Sequence, residues 1–131
     1  MLMNKKAKGS NAERDLIHKF NDSGWVAIRS AGSGSMQYPS PDILAGNNLR
    51  RVAIECKSTA DLKKYLTKKE VDELVFSANK FGAEAWIAVK FDRLDWLFLN
   101  VEDLDITDKS YAIDIPTAKR KGLSFEQVIG T

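Results

Sequence analysis

The stretch SPDILAGNNLRRVAIECKS, Ser40 to Ser58, decides the reading of this chain. An aspartate, Asp42, opens a short apolar run. Gly46-Asn47-Asn48 then supplies turn chemistry. A second run, Val52 to Cys56, carries a glutamate at Glu55 and leads to a lysine at Lys57. Two apolar runs around such a turn predict a β-hairpin. Side chains on a strand alternate faces, so Val52, Ile54 and Cys56 point one way while Ala53, Glu55 and Lys57 point the other. Glu55 and Lys57 then sit roughly 6.5–7 Å apart on one face. Asp42, at the near end of the paired strand, is placed to converge with them. Carboxylates brought that close repel when ionised, and a divalent cation relieves the repulsion. Mg²⁺ prefers hard oxygen ligands and retains waters, which suits hydrolysis of a phosphodiester. The plain alternative is a sheet edge with a cross-strand ion pair.

The rest of the chain frames the hairpin. Its 131 residues suit one domain with a real core, and the 44% hydrophobic and 29% charged content is that of an ordinary globular protein. No apolar run nears the ~20 residues needed to cross a bilayer. Residues 1–10 have lysines without a following apolar segment, unlike a secretory signal. A lone cysteine forms no internal disulfide, so a cytoplasmic location is expected. The net charge is only +2, but basic residues gather in 1–20 and 50–70 while acidic ones gather in 92–114. A basic face of that kind suits a polyanion, although on charge alone solvated lysines on helix surfaces are the favoured reading.

Residues 1–9 read as a flexible basic arm and 10–131 as a single domain. Ser10 is placed to cap a helix running to Ser23, with Glu13 as the capping-box acid. Leu16, Ile17 and Phe20 form its apolar stripe, and Glu13 falls on the same stripe, where a carboxylate needs a cationic partner; a metal or Lys57 would serve. GWVAIRS, AWIAVKF and WLFLNV read as strands, SYAIDI as a further one, and Leu123 to Ile129 as a terminal helix. A second helix starts at Thr67 and stops at Gly82, with Val71, Leu74, Val75, Ala78 and Phe81 at helical spacing. The expected fold is α/β, a central mixed β-sheet flanked by helices. Cys56, facing Val52 and Ile54, reads as a small buried hydrophobe. His18 is solvated, and Trp25, Trp86 and Trp96 belong to the core. Phe76, off the stripe, is a candidate for a partner or DNA contact.

Pro41-Asp42 followed by Glu55-Cys56-Lys57 resembles the PD-(D/E)xK nuclease motif. The wider run GSNAERDLIHKFNDSGWVAIRSAGS, then PDILAG, VAIECKST and AWIAVKF, resembles the archaeal Holliday junction resolvase family over about residues 9 to 100. That resemblance implies a restriction-endonuclease-like fold, a homodimer, and Mg²⁺-dependent paired cleavage of a four-way DNA junction, with Mn²⁺ as a substitute. It assigns metal binding to Asp42 and Glu55, a catalytic role to Lys57, and an essential role to Glu13, direct or through water. The backbone carbonyl of Cys56 is a further metal ligand. The catalytic loop serine matches Ser33, with Ser35 the alternative because the loop is longer than in some members. Arg14 and Arg29 are expected near phosphate. Lys63, Lys64, Lys68 and Lys69 are the candidates for phosphate contacts outside the site. Recombination or replication proteins would be plausible company. A restriction- or repair-type nuclease acting on other DNA, or a non-catalytic junction-binding protein, are the competing functions.

Overall fold

The computed structural model describes residues 5–30 and 38–130. Its five-stranded sheet has the order β1-β2-β3-β5-β6. The strands are β1 (Val26–Arg29), β2 (Ile43–Gly46), β3 (Arg51–Thr59), β5 (Glu84–Phe91) and β6 (Leu97–Leu99). The hairpin forms where the sequence places it. Asn47 turns the chain by accepting the backbone N–H groups of Leu49 and Arg50 on its side-chain oxygen, at 2.8 and 2.7 Å. The antiparallel register pairs Ile43 with Ile54 and Ala45 with Val52. A slip of one residue would turn every core side chain of β2 to the other face, so burial locks this register.

Strand β3 continues past the end of β2 and pairs in parallel with β5. The connection between them contains β4 (Lys63–Thr67) and helix α2 (Lys68–Phe81). Thr67 caps α2 in a capping box with Glu70, and Gly82 ends it with φ of 70°. A small second sheet, ordered β4-β8-β7, joins β4 to β8 (Ser110–Asp114) and β7 (Asp105–Ile106). The sequence reading lacked β4, β7 and helix α3 (Ile115–Lys121). These pieces are short, and KKYLT has too few apolar positions to show a period.

Each face of the large sheet carries its own apolar cluster. On one, Val52, Ile54, Cys56, Trp86 and Ala88 pack with Leu16 and Phe20 of α1 (Lys5–Asp22) and Phe125 of α4 (Phe125–Ile129). On the other, Ala53, Ile87, Val89 and Phe91 pack with Val71, Leu74 and Ala78 of α2. All three tryptophans are buried, and His18 is exposed. No helix among the described residues is long and apolar enough to cross a membrane.

Two expectations need correction. Helix α1 spans Lys5–Asp22, so residues 5–9 are helical and Ser10 lies inside the helix instead of at its start. Lysine and alanine are good helix formers, and they extend the helix through Gly9. Phe81 is 58% exposed, and Ser77 takes the buried place on α2. The Phe81 ring instead lines an open groove with Val26 and Ile28 of β1.

Candidate active site

The site lies where β3 runs beyond β2. Asp42 immediately precedes β2, and its side-chain Oδ2 accepts the backbone N–H of Cys56 at 2.8 Å. Its own backbone N–H donates to Ile54 O at 3.0 Å. These bonds hold the Asp42 carboxylate against the start of the Glu55-Cys56-Lys57 segment. Burial raises the Asp42 pKa above the usual carboxylate range; the Cys56 N–H works against this and the Glu13 charge adds to it. Glu55 is pushed up to about 8, first by burial and then by the Asp42 charge.

Glu13 reaches the cluster from α1 on the opposite face of the sheet. Its Oε2 accepts from Arg29 Nε at 2.8 Å. The cationic partner that Glu13 needs is supplied by Arg29, at the end of β1, and not by Lys57. One carboxylate oxygen each of Glu13 and Asp42 and the Cys56 Sγ all lie within 4.8 Å of one another. Burial holds the Cys56 thiol protonated, with its pKa far above normal, so sulfur is a poor donor here for a hard cation.

Lys57 lies on the α2 side. Its Nζ is 3.6 Å from Glu55 Oε2 and donates a hydrogen bond to Glu70 Oε2. Burial works to lower the Lys57 pKa, but the Glu70 hydrogen bond and the charges of Glu70, Glu55 and Asp42 outweigh it, so the ammonium is stabilised. Burial opposes ionisation of Glu70 too, yet its bonds to Lys57 and Thr67 bring its pKa below normal. Glu70 is the site residue that the sequence reading missed. Its signal was present as Thr67-Lys68-Lys69-Glu70, the spacing of a capping box, but nothing local links that box to Lys57.

Among the described residues the cluster is short of positive charge: four carboxylates, Glu13, Asp42, Glu55 and Glu70, meet two cations, Arg29 and Lys57. Burial raises Asp42 and Glu55, and the neighbouring carboxylate charges add to it. An oxygen-rich, electron-rich set of this kind fits a hard divalent cation.

Of the remaining predicted residues, Arg14 is exposed and bonds Asn11 Oδ1 at 3.3 Å. Lys63, Lys68 and Lys69 are exposed around β4 and the start of α2, and Lys64 is half-buried. Lys63 Nζ lies over the Tyr65 ring, 5.3 Å from its centroid. Phe76 is exposed, with Lys80 Nζ 5.8 Å from its ring centroid. Ser33 and Ser35 lie outside the described residues. The two ends of their loop meet where Ser30 Oγ and Ser40 Oγ share a hydrogen bond of 3.2 Å.

Known proteins match this arrangement along nearly the whole chain. The family model of the archaeal Holliday junction resolvase, Hjc, matches residues 4–131. The chain belongs to the archaeal Holliday junction resolvase family. The crossover junction endodeoxyribonuclease Hjc of Archaeoglobus fulgidus is 43% identical over 125 residues, 95% of this chain and 91% of that protein. Its counterpart in Methanocaldococcus jannaschii is 33% identical, over 98% of this chain and 92% of that protein. The solved structure of A. fulgidus Hjc, a Holliday junction resolvase, superposes with a TM-score of 0.87 at 42% identity, over 93% of this chain and 100% of the solved one. The resolvase fold is therefore that of the present chain, including the central mixed sheet with helices on both faces.

Proposed function

We propose that this resolvase-family chain is a structure-specific endodeoxyribonuclease that resolves four-way DNA junctions by paired, metal-dependent phosphodiester hydrolysis. The observation that carries the reading is the convergence of Glu13, Asp42 and the Glu55–Lys57 segment at the end of β2, in a chain whose relatives are named crossover junction endodeoxyribonucleases.

Asp42 and Glu55 would hold a divalent cation, with Glu13 completing the oxygen set directly or through water. The Cys56 carbonyl is a further donor. On an extended strand a residue's N–H and C=O point to one side, and the Cys56 N–H points at Asp42. Mg²⁺ fits this chemistry, with Mn²⁺ as a substitute. The bound cation supplies a more acidic water and polarises the scissile phosphoryl group. Lys57, kept protonated by Glu70 and Glu55, orients the attacking water and offsets charge growing on the phosphoryl oxygens. In-line displacement of the 3′ oxygen leaves a 5′-phosphate. A serine of the 31–37 loop, Ser33 or Ser35, and the basic side chains Arg14, Arg29, Lys63, Lys64, Lys68 and Lys69 would hold neighbouring phosphates.

Paired cleavage needs two sites, and we infer a homodimer. Val26 and Ile28 of edge strand β1 are 68% and 59% exposed. With Leu44 and Phe81 they line one apolar groove on the α2 side of the sheet. Contiguous apolar surface on a sheet edge calls for a cover, and a second copy would supply it while setting two metal clusters on one assembly.

The test compares a fixed four-way junction with linear duplex of the same arm sequences. Preferred cutting of the junction, lost in Asp42→Asn with junction binding kept, is the expected result. Equal cutting of linear duplex, or an Asp42→Asn variant that still cuts, defeats the reading.

A further inference from the structure

We propose that the Arg29–Glu13 ion pair couples DNA binding to cation binding: a backbone phosphate that draws Arg29 away frees Glu13 for the cation, so each ligand raises the affinity for the other. The inference rests on the nuclease reading above and adds a coupling between the two ligands of that site.

Both members of the pair face a second claim. Glu13 Oε2 accepts from Arg29 Nε at 2.8 Å. A Glu13 carboxylate oxygen also lies within 4.8 Å of an Asp42 carboxylate oxygen and of Cys56 Sγ. Glu13 thus stands between a fixed guanidinium and the acidic cluster. A carboxylate already paired with an arginine is a weaker ligand, because the guanidinium occupies its lone pairs and repels a dication.

Arg29 is held where this exchange can happen. It pairs with Ile43 at the end of β1, and the next residue, Ser30, donates its N–H to Asp42 O at 2.9 Å. The Arg29 backbone is therefore anchored beside Asp42, and only its side chain can turn. Ala27 belongs to the apolar cluster on the α1 side, so alternation puts Arg29 on the face from which Glu13 comes. The Arg29 side chain is 36% exposed and that of Glu13 19%. The guanidinium is the outer partner, and a polyanion arriving from solvent meets it first. Lys57, the other cation of the cluster, is more buried, and its acceptor Glu70 is also bonded to Thr67.

The sign of the coupling follows. DNA alone takes Arg29 and leaves Glu13 unpaired beside Asp42. A cation alone takes Glu13 and leaves the guanidinium facing a dication. When both bind, the pair breaks only once and each former partner has a new counter-ion. The coupling is reciprocal, and its size is that of a half-exposed ion pair, about two- to fivefold in affinity.

The experiment uses the full chain carrying Lys57→Gln, which keeps every carboxylate of the cluster while suppressing cleavage. Affinity for a fixed four-way junction is measured in EDTA and in saturating Mn²⁺. In EDTA, Glu13→Gln should strengthen junction binding about two- to fivefold, and the same change in an Arg29→Met background should lose most of that effect. Mn²⁺ should raise the junction affinity of the parent, and Arg29→Met should cut that gain about two- to fivefold. Arg14→Met, whose arginine bonds Asn11, should weaken binding equally with and without Mn²⁺. An equal Mn²⁺ gain with and without Arg29, or a Glu13→Gln effect that is the same in both backgrounds, overturns the proposal. Mn²⁺ binding to the DNA-free protein that Asp42→Asn leaves unchanged would instead defeat the metal-site reading beneath it, and a parent that binds linear duplex as tightly as the junction would defeat the junction reading.

Discussion

Glu70 of α2 joins Lys57 of β3 while also capping its own helix. One carboxylate oxygen accepts from Lys57 Nζ, and the other accepts the Thr67 N–H at 2.9 Å. The start of α2 is thereby tied to the site chemistry. The two roles separate by mutation. Thr67→Ala should cost about 1 kcal/mol of stability and leave cleavage near normal. Glu70→Ala should cost a similar amount and also lower kcat by roughly tenfold or more, because Lys57 loses the anion that holds it in place. Denaturant melts run beside single-turnover cleavage distinguish them; equal kcat in both variants would remove Glu70 from the site.

The raised Glu55 pKa gives a pH dependence of defined sign. Folded and metal-free, Glu55 titrates at about 8; unfolded, it returns to near 4.5. Between those values the folded chain holds the extra proton, so stability falls as pH rises, by at most about 1.4 kcal/mol per pH unit. Glu55→Gln should flatten that slope in EDTA. A cation competes for the same carboxylate. Its affinity should therefore climb with pH up to about 8, with proton release visible by calorimetry in buffers of different ionisation enthalpy. A pH-independent affinity between 6 and 8 would contradict the assignment.

If Glu13 takes part in the proposed metal site, Arg29 competes with the cation for it. Arg29→Met should tighten Mn²⁺ binding to the DNA-free protein by about two- to fivefold, since the carboxylate loses its present ion pair. The same variant should weaken junction cleavage. Mn²⁺ titration by paramagnetic relaxation reads the first effect; a weaker Mn²⁺ affinity would show that Arg29 supports the ligand set instead of opposing it.

Arg50 supplies a structural control away from the chemistry. Its guanidinium bonds both oxygens of Glu84 at 2.7 Å and Val128 O at 2.6 Å, and lies over Trp25, pinning α4 to the sheet. Arg50→Ala should cost about 1–2 kcal/mol with cleavage unchanged at temperatures where the protein stays folded. Lysine at this position lacks the fork and should recover less than half of the loss.

The apolar edge offers a test of assembly. Ile28→Lys changes an exposed position and should leave the thermal midpoint of the monomer unit nearly unchanged. It should halve the mass measured by sedimentation and abolish paired nicking of a junction. A variant that stays dimeric places the interface elsewhere.

The hairpin, helix α2 and the facing of Glu55 and Lys57 were legible in the residues themselves. Turn chemistry at Asn47, alternation along β3 and the Thr67 and Gly82 caps are all local causes with local effects. The start of α1 was not, because Gly9 and Ser10 look like a boundary. Nor were β4 and α3, whose residues gain order mainly from what they pack against.

From the amino acids alone came the family pattern, the mixed sheet and a carboxylate–lysine group suited to a hard cation. Only the folded chain settled who neutralises whom. Glu13 meets Arg29 sixteen residues away, and Lys57 meets Glu70 across a helix–strand contact. Such pairings depend on how distant segments dock, and docking is governed by the burial energy of both sheet faces together, which no short stretch of residues encodes.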